Sequence, residues 1–502
     1  METPFRWAED SKYSAHHLPK PEQPAIFLYR AAEAAKFLTG IQAMQTVTVS
    51  APPSKSLSHR ALMAAALAGG VSRLSHVLES DDIARTRDVF AALGARFTRV
   101  GPGEFTVSGL DGRVISQPRG RTDAPEPLSC YVGESGTTCR LATAILAAGR
   151  GSFRIHGAGR MHERPLTDLA ATLQSLGAII RFEEKPGCPP LVLEARGLNA
   201  SALPGGMADI GCDESSQYLS GLLLAAPLGR GLTIRLTGGK VVSWPYISLT
   251  LEIMERFGIS FAVQALDNGD WSDVDWRALT RAEPYKLRFC VHPGPYRPGT
   301  HAVEGDWSGA SYFLAAGAIG PKAVRVLGLN RASLQGDAAL VGILEGMGAR
   351  LDWDAEAAAI TVFPSALRGV DADMGHCPDL VPTVAVLAAH AEGRTTIRNV
   401  AHLKIKESDR LQAPAEILRK VGCTVEVSDD GLIIDPPAGG PRPPEDQTPF
   451  PAHNDHRIAM SASLLGLPGR SESGGFAVTL DAPVCVAKSF PHFWDLWEQV
   501  TS

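Results

Sequence analysis

No two of the eight cysteines form a C-x-x-C pair, so neither a zinc ribbon nor the dense frame of a disulfide-stapled domain is encoded. A reducing, cytoplasmic setting is the corresponding expectation. Charge of one sign is equally scarce: 48 Lys and Arg stand against 54 Asp and Glu, a formal balance of −6. A mildly acidic total excludes a protein whose main partner is nucleic acid or an anionic membrane surface. Long apolar runs are missing too. The most apolar early stretch, Ala25 to Ala43, is interrupted by Arg30, Glu33 and Lys36, which excludes a membrane span and suggests a short amphipathic helix. The opening METPFRWAEDSKYS holds Glu2, Glu9 and Asp10 and lacks the apolar centre of a secretory signal. What remains is an ordinary globular composition, 44% hydrophobic and 20% charged over 502 residues, enough for two or three domains.

One element recurs six times. A small or acidic polar residue opens an Ala/Leu-rich run that ends near a glycine. The copies are SLSHRALMAAALAGG from Ser56, SGTTCRLATAILAAGRG from Ser135 and SSQYLSGLLLAAPLGRG from Ser215, then SGASYFLAAGAIG from Ser308, DLVPTVAVLAAHAEG from Asp379 and DHRIAMSASLLGLPG from Asp455. Successive starts are 79, 80, 93, 71 and 76 residues apart. Ser and Asp cap helix N-termini and glycine ends helices, so each copy predicts a helix. Being apolar nearly all round, these helices must be buried on every side. A strand-like run follows each, among them GSFRIHG and GLTIRLTG. A second helix, ending at Gly94, Gly177, Gly258, Gly348 or Gly422, mixes charged with apolar residues and is expected to face solvent on one side.

The order is therefore alternating α/β in six units. A helical solenoid is excluded, because its repeats would lack the β-branched runs. The widest spacing holds DNGDWSDVDW, which reads as a surface excursion. The stretch DPPAGGPRPPEDQTPFP (435–451) reads as an exposed loop.

Positive charge is concentrated at the starts of the buried helices or in adjacent loops: Lys55 and Arg60, Arg140, Arg164, Lys406 and Arg410, Arg457, Lys488. A helix start carries unpaired N–H groups and a partial positive charge. With guanidinium forks beside it, it suits phosphates and carboxylates. Two acids break the pattern: Asp379 opens a buried helix, and Glu407 sits among basic residues in KIKESDR. In a cleft built for anions, carboxylates are costly unless they move protons.

Ten motifs occur in order: PPSKSLSHR, GESGTTCR, MHERP, ESSQYLSGLL, SWPY, VEGDWSGASYF, LQGD, IKESDR, NDHRIAM and CVAKSFP. Together they resemble the enolpyruvyl transferases, on the shikimate-pathway branch, from about residue 45 to residue 495. The resemblance implies a two-domain inside-out α/β barrel built from six repeated units, with helices at the centre of each domain. One three-repeat domain would span 54–303 and the other 45–53 plus 304–502, leaving 1–44 as an extension without an assigned role. It also implies transfer of the enolpyruvyl group of phosphoenolpyruvate to the 5-hydroxyl of shikimate 3-phosphate, with release of phosphate, by a cytoplasmic monomer.

Residue by residue, the resemblance puts shikimate 3-phosphate against Ser56, Arg60, Ser215, Ser216, Gln217, Ser243, Tyr246, Asp379 and Lys406. Phosphoenolpyruvate falls to Lys55, Gly136, Arg164, Gln217, Arg410, Arg457 and Lys488. Asp379 is the expected base towards the hydroxyl and Glu407 the acid towards the methylene. Lys55 would stabilise the departing phosphate. Neither a metal nor another cofactor is expected, since Arg and Lys already supply the countercharge.

The sister enzymes that act on UDP-N-acetylglucosamine usually carry a cysteine before the Arg-Pro step, and GAGRMHERP has none. A catalytically dead anion-binding module is opposed by the intact Lys55, Asp379, Lys406 and Glu407. Three positions depart from the family pattern: Pro53 replaces a glycine, and Glu134 and His402 replace asparagines. Pro53 is expected to stiffen the crossing between domains, and Glu134 to repel phosphoenolpyruvate unless it pairs with a neighbouring arginine.

Overall fold

Twelve helices organise the chain in a computed structural model that describes residues 25–27, 45–116, 126–445, 448–469 and 474–502. They are α1 (Lys55–Leu67), α2 (Asp81–Ala92), α3 (Gly136–Ala147), α4 (Thr167–Ser175), α5 (Gln217–Ala225), α6 (Trp244–Arg256), α7 (Trp307–Ile319), α8 (Leu340–Gly346), α9 (Val381–Ala389), α10 (Gln412–Lys420), α11 (His456–Ala462) and α12 (Phe493–Thr501). The odd-numbered six are the apolar runs of the repeats. Every residue of α7 and of α9 is buried, as all-round apolarity requires. The helices α2, α4, α6, α8 and α10 end at the five glycines anticipated, each in the left-handed region that stops a helix.

A complete unit runs strand, buried helix, parallel strand, surface helix, then two antiparallel strands. The unit holding α3 and α4 shows it: Leu128–Gly133 pairs parallel with Arg150–Gly157, which pairs antiparallel with Leu191–Arg196, whose other neighbour is Ile179–Phe182. Five sheets of four or five strands follow this plan. The sixth unit is thinner: among the described residues its sheet is Val478–Leu480 against Ala25–Phe27, antiparallel, with Phe450 alone bridged parallel to Leu480 on the side where the first strand would lie. The stretch leading into it is the proline-rich 435–451, and proline cannot donate to a ladder. Ala25–Phe27 is thus a strand where an amphipathic helix was expected; the rest of 1–44 lies outside the described residues.

The acidic excursion lies largely exposed, as expected, and takes the form of a hairpin. Asp270–Asp273 adds a fifth strand to its sheet, pairing with Phe261–Asp267 across a tight turn at Asn268 and Gly269, both at positive φ. Arg288 lies over the Trp271 ring, 4.4 Å from its centroid.

The fold is a two-domain α/β fold with two separate apolar cores. One gathers residues from Leu57 to Val303, and the other joins Val49 and Ala51 to residues from Trp307 to Val500. The chain passes between them twice. Thr46–Ser50 completes the sheet of Ala323–Leu327, while Thr300–Ala302 completes that of Val71–Ser75. At the crossings the Ser54 amide donates to the Glu304 carbonyl (2.8 Å) and the Asp306 amide to the Pro52 carbonyl (2.7 Å). Pro53, lacking an N–H, sits opposite Gly305 and leaves this bonding to its neighbours. No helix among the described residues is long and apolar enough to cross a membrane.

Candidate active site

All six buried helices present their first residues to one cavity between the cores. Lys55 and Ser56 come from α1, Gly136 and Thr137 from α3, and Ser215, Ser216 and Gln217 from the start of α5. Ser308 of α7, Pro378 and Asp379 ahead of α9, and His456 and Arg457 of α11 face them from the second domain. Arg164, Ser243, Tyr246, Lys406, Glu407 and Arg410 complete the wall. Two helix starts differ from the sequence reading. Ser54, not Ser56, caps α1, and Asp306, not Ser308, caps α7, so Ser56 and Ser308 are free to line the cavity. Ser243 is held at a φ of 55°, a conformation uncommon for a residue with a Cβ, just where it enters the wall.

The α3 corner is strongly positive. Arg164 donates to the Glu134 carbonyl (3.3 Å) and to Glu407 Oε1 (3.4 Å). Arg140 donates to Gln217 Oε1 (3.2 Å) and to the Pro165 carbonyl (3.2 Å), while Gln217 Nε2 donates to Thr137 Oγ1 (3.0 Å). Arg140 and Arg164 each keep a buried Nε without a partner. Burial and the neighbouring Arg164 lower the Arg140 pKa. Two guanidinium groups against a helix N-terminus form an anion site by elementary electrostatics. Opposite them, Lys55 Nζ meets Asp82 Oδ2 at 2.5 Å.

The carboxylates sit in a lattice of arginines. Arg410 donates to Asp455 through Nε (2.8 Å) and Nη2 (3.0 Å), and to Asp379 Oδ1 through Nη1 (3.0 Å). Its Nη2 also stands 2.8 Å from Glu407 Oε2. Arg457 donates to Asp379 Oδ2 (2.7 Å) and to the Ser308 hydroxyl. Tyr246 crosses from the first domain to donate to Asp379 Oδ2 (2.8 Å).

Burial alone would raise the Asp379 pKa, but Arg457, Arg410 and Lys406 outweigh it and hold the carboxyl down at about 2. Glu407 is likewise held well below the carboxylate range, with Arg410, Arg164 and Lys488 overcoming burial. Asp337 behaves oppositely: burial and the charge of Asp379 push it well above that range. Lys406 falls to about 8, because burial and the charges of Arg140 and Arg164 outweigh the attraction of Asp379.

Two residues expected at the site are placed outside this cavity. Arg60 is fully buried, and its guanidinium donates to Thr250 Oγ1 (2.8 Å), Ser220 Oγ (3.3 Å) and the carbonyls of Ser56 and Tyr246 (3.0 Å each). Lys488 lines an adjoining recess with Glu134, Arg164, Glu407 and Asn454. There its Nζ lies 2.9 Å from Glu134 Oε2, so Glu134 finds its partner in a lysine and not in the arginine anticipated. His402 is buried at the domain boundary with Nε2 3.4 Å from Ser243 Oγ, and burial with nearby Lys406 and Lys240 lowers its pKa to about 3.

Sequence reasoning assigns no place in the site to Asp82, Asp337 or Asp455. Asp337 stands in the quoted LQGD, and Asp455 was read only as a helix cap. It does accept from the Arg457 amide (3.0 Å), but it also grips Arg410. Only the pairing of helix α11 with a loop 45 residues away reveals that second task.

Comparison with known proteins supplies independent information. The family described as EPSP synthase (3-phosphoshikimate 1-carboxyvinyltransferase) matches residues 39–269 and 278–497. The 3-phosphoshikimate 1-carboxyvinyltransferase of Aeromonas salmonicida is 40% identical over 449 residues, 89% of this chain and 94% of that protein. That of Paraburkholderia phytofirmans is 39% identical over 460 residues, 89% and 95% of the two chains. Among solved structures, an EPSP synthase from Acinetobacter baumannii superposes with a TM-score of 0.67 at 25% identity, covering 95% of this chain and 98% of that one.

Proposed function

The chain belongs to the EPSP synthase (3-phosphoshikimate 1-carboxyvinyltransferase) family, and from that premise we propose how its residues divide the work. The enzyme transfers the enolpyruvyl group of phosphoenolpyruvate to the 5-hydroxyl of shikimate 3-phosphate and releases phosphate, a step of the shikimate pathway towards chorismate and the aromatic amino acids. The observation that carries our assignment is the convergence of six buried-helix starts and their cations on one cavity. Such a cavity suits two multiply charged anions held side by side.

Shikimate 3-phosphate is assigned to the α1, α5 and α6 starts: Ser56, Ser215, Ser216, Gln217, Ser243 and Tyr246, with Lys406 and Asp379 from the other domain. Arg60 acts through Ser56 and Tyr246, whose carbonyls it orders. Phosphoenolpyruvate is assigned to the positive corner at Gly136, with Gln217 and Arg164, and to Lys55, Arg410, Arg457 and Lys488 around it. Asp379 accepts the proton of the 5-hydroxyl as its oxygen bonds to the enol carbon. Glu407 gives a proton to the methylene, which becomes a methyl group. In the second half the roles reverse: the methyl returns a proton to Glu407 as the carbon–carbon double bond re-forms, the bond from carbon to phosphate oxygen breaks, and the departing phosphate takes the proton held by Asp379 and leaves beside Lys55.

Both carboxyls are ionised in the free protein, so Glu407 must take up a proton before it can donate one. The negative charge of phosphoenolpyruvate, set against Arg164, Arg410 and Lys488, offsets the cations that hold its pKa down. In the same reading the domains run 54–303 and 45–53 plus 304–502, each an inside-out barrel with helices within and sheets without. The protein works as a cytoplasmic monomer, in keeping with a cavity whose two halves come from one chain and with eight free thiols.

Phosphate release measured with phosphoenolpyruvate and either shikimate 3-phosphate or UDP-N-acetylglucosamine tests the assignment. Turnover with the first acceptor is expected; turnover with the nucleotide sugar alone would overturn it.

A further inference from the structure

Glu134 ties together three groups from both domains. Its Oε2 lies 2.9 Å from Lys488 Nζ and accepts from Asn454 Nδ2 at 3.4 Å, both in the second domain. Its carbonyl accepts from Arg164 at 3.3 Å. Its other carboxyl oxygen packs where Gly159 has no side chain, since a Cβ there would approach to 2.3 Å. Two cations assigned to phosphoenolpyruvate are therefore tethered by one residue. The tether to Lys488 carries a full negative charge at a position where the family pattern has a neutral amide.

The pair is sheltered but not sealed: the Lys488 side chain is 11% exposed and that of Glu134 28%. A carboxylate at this spot stands in for an anionic ligand. It offsets the positive charge that Lys488 offers and takes up one of its donors, so a substrate carboxylate or phosphate competes with it for Nζ.

We propose that Glu134 is a positioning residue that sets the affinity for phosphoenolpyruvate, acting through Lys488 as a resident counter-anion which the substrate exchanges. This rests on the reading of the positive corner as the phosphoenolpyruvate site. Affinity is traded for a Lys488 that is held and neutralised while the site is empty. The chemistry itself, at Asp379 and Glu407, is left untouched.

Glu134→Gln keeps the size and an oxygen that can accept from Nζ while removing the charge. At saturating shikimate 3-phosphate, its KM for phosphoenolpyruvate is expected to fall about three- to tenfold with kcat within about twofold of the parent. A residue that merely braces the fold would raise KM or lower kcat instead, and either result, or an unchanged KM, overturns the proposal. Glu134→Asn, shorter and equally neutral, carries the same expectation and serves if the glutamine variant does not fold. Calorimetric titration with inorganic phosphate separates this proposal from the one beneath it. If the parent protein releases no phosphate from its two substrates, the functional assignment fails on its own. Phosphate affinity then decides the role of Glu134: tighter binding by the neutral variant supports it, and equal or weaker binding sinks it.

Discussion

Gly136 stands where any side chain would collide with the Arg164 guanidinium: a Cβ there would come within 2.5 Å of Arg164 Nη2 and 2.7 Å of Arg140 Nη1. The missing side chain is what lets two guanidinium groups close on the N-terminus of α3. Gly136→Ala should leave the helix intact, since alanine is a good helix former, but displace Arg164. We expect KM for phosphoenolpyruvate to rise about tenfold or more, the equivalent of one lost charge-assisted contact, with a smaller change for shikimate 3-phosphate. Steady-state kinetics with each substrate varied in turn gives the answer. A variant with parental KM for phosphoenolpyruvate would show that Arg164 does not depend on the glycine.

How much of this was readable beforehand follows the range of the interactions. The buried helices, and the glycine stops of the surface helices, were legible because cap, periodicity and terminator lie within about four turns of one another, although of the buried helices only α7 is itself capped by a glycine, Gly320. The Asn268–Gly269 hairpin carried a strong local signal that the acidic character of its surroundings obscured. The thin sixth sheet was not legible, because its second strand, Ala25–Phe27, comes from the opposite end of the chain. The cations of the site could be nominated from their places at helix starts. Which carboxylate each would meet could not: Lys488 finds Glu134 across 354 residues and Arg164 finds Glu407 across 243. Arg60 shows the converse limit, since a motif position cannot say that a guanidinium also has four partners within the protein.

Asp306 caps two helices in two domains: one carboxyl oxygen accepts from the Lys55 amide of α1 (2.8 Å), the other from the Gly309 amide of α7 (2.7 Å). Asp306→Ala strands both amides at the crossing. At about 1 kcal/mol per lost cap, stability should fall by roughly 1–3 kcal/mol, seen as a lower urea midpoint. Because Lys55 begins α1, turnover should fall with it. Unchanged stability would mean that water or Gln335, which donates to the Gly305 carbonyl at 2.8 Å, holds the crossing unaided.

Lys406 titrates at about 8 in the free protein, below the ordinary 10.5, because burial and the charges of Arg140 and Arg164 disfavour the ammonium. The ammonium is present below that pH and is lost as pH rises through it. If Lys406 meets the sugar phosphate, kcat/KM for shikimate 3-phosphate should decline above about pH 8, as a limb that reports the free enzyme. In the complex the phosphate anion favours the ammonium, so the kcat limb should lie higher. Lys406→Arg should flatten the first limb, since guanidinium stays charged throughout. A kcat/KM profile level to pH 9.5 in the parent would remove Lys406 from the contact.

Glu407 is ionised in the empty site, pressed between Arg410 at 2.8 Å and Arg164 at 3.4 Å, yet its assigned task begins with giving a proton away. The resolution offered is electrostatic: phosphoenolpyruvate neutralises the same cations, and the carboxyl pKa climbs as the complex forms. Calorimetry in buffers of different ionisation enthalpy should then register proton uptake when phosphoenolpyruvate joins the shikimate 3-phosphate complex. Glu407→Gln keeps the shape and the hydrogen-bonding oxygen, so KM for both substrates should stay within a few-fold while turnover drops by about a hundredfold or more. The uptake should shrink in the same variant, because the group that takes the proton has gone. Near-parental turnover would reassign the acid, and Lys55, which also faces the departing phosphate, is the residue to which the role would pass.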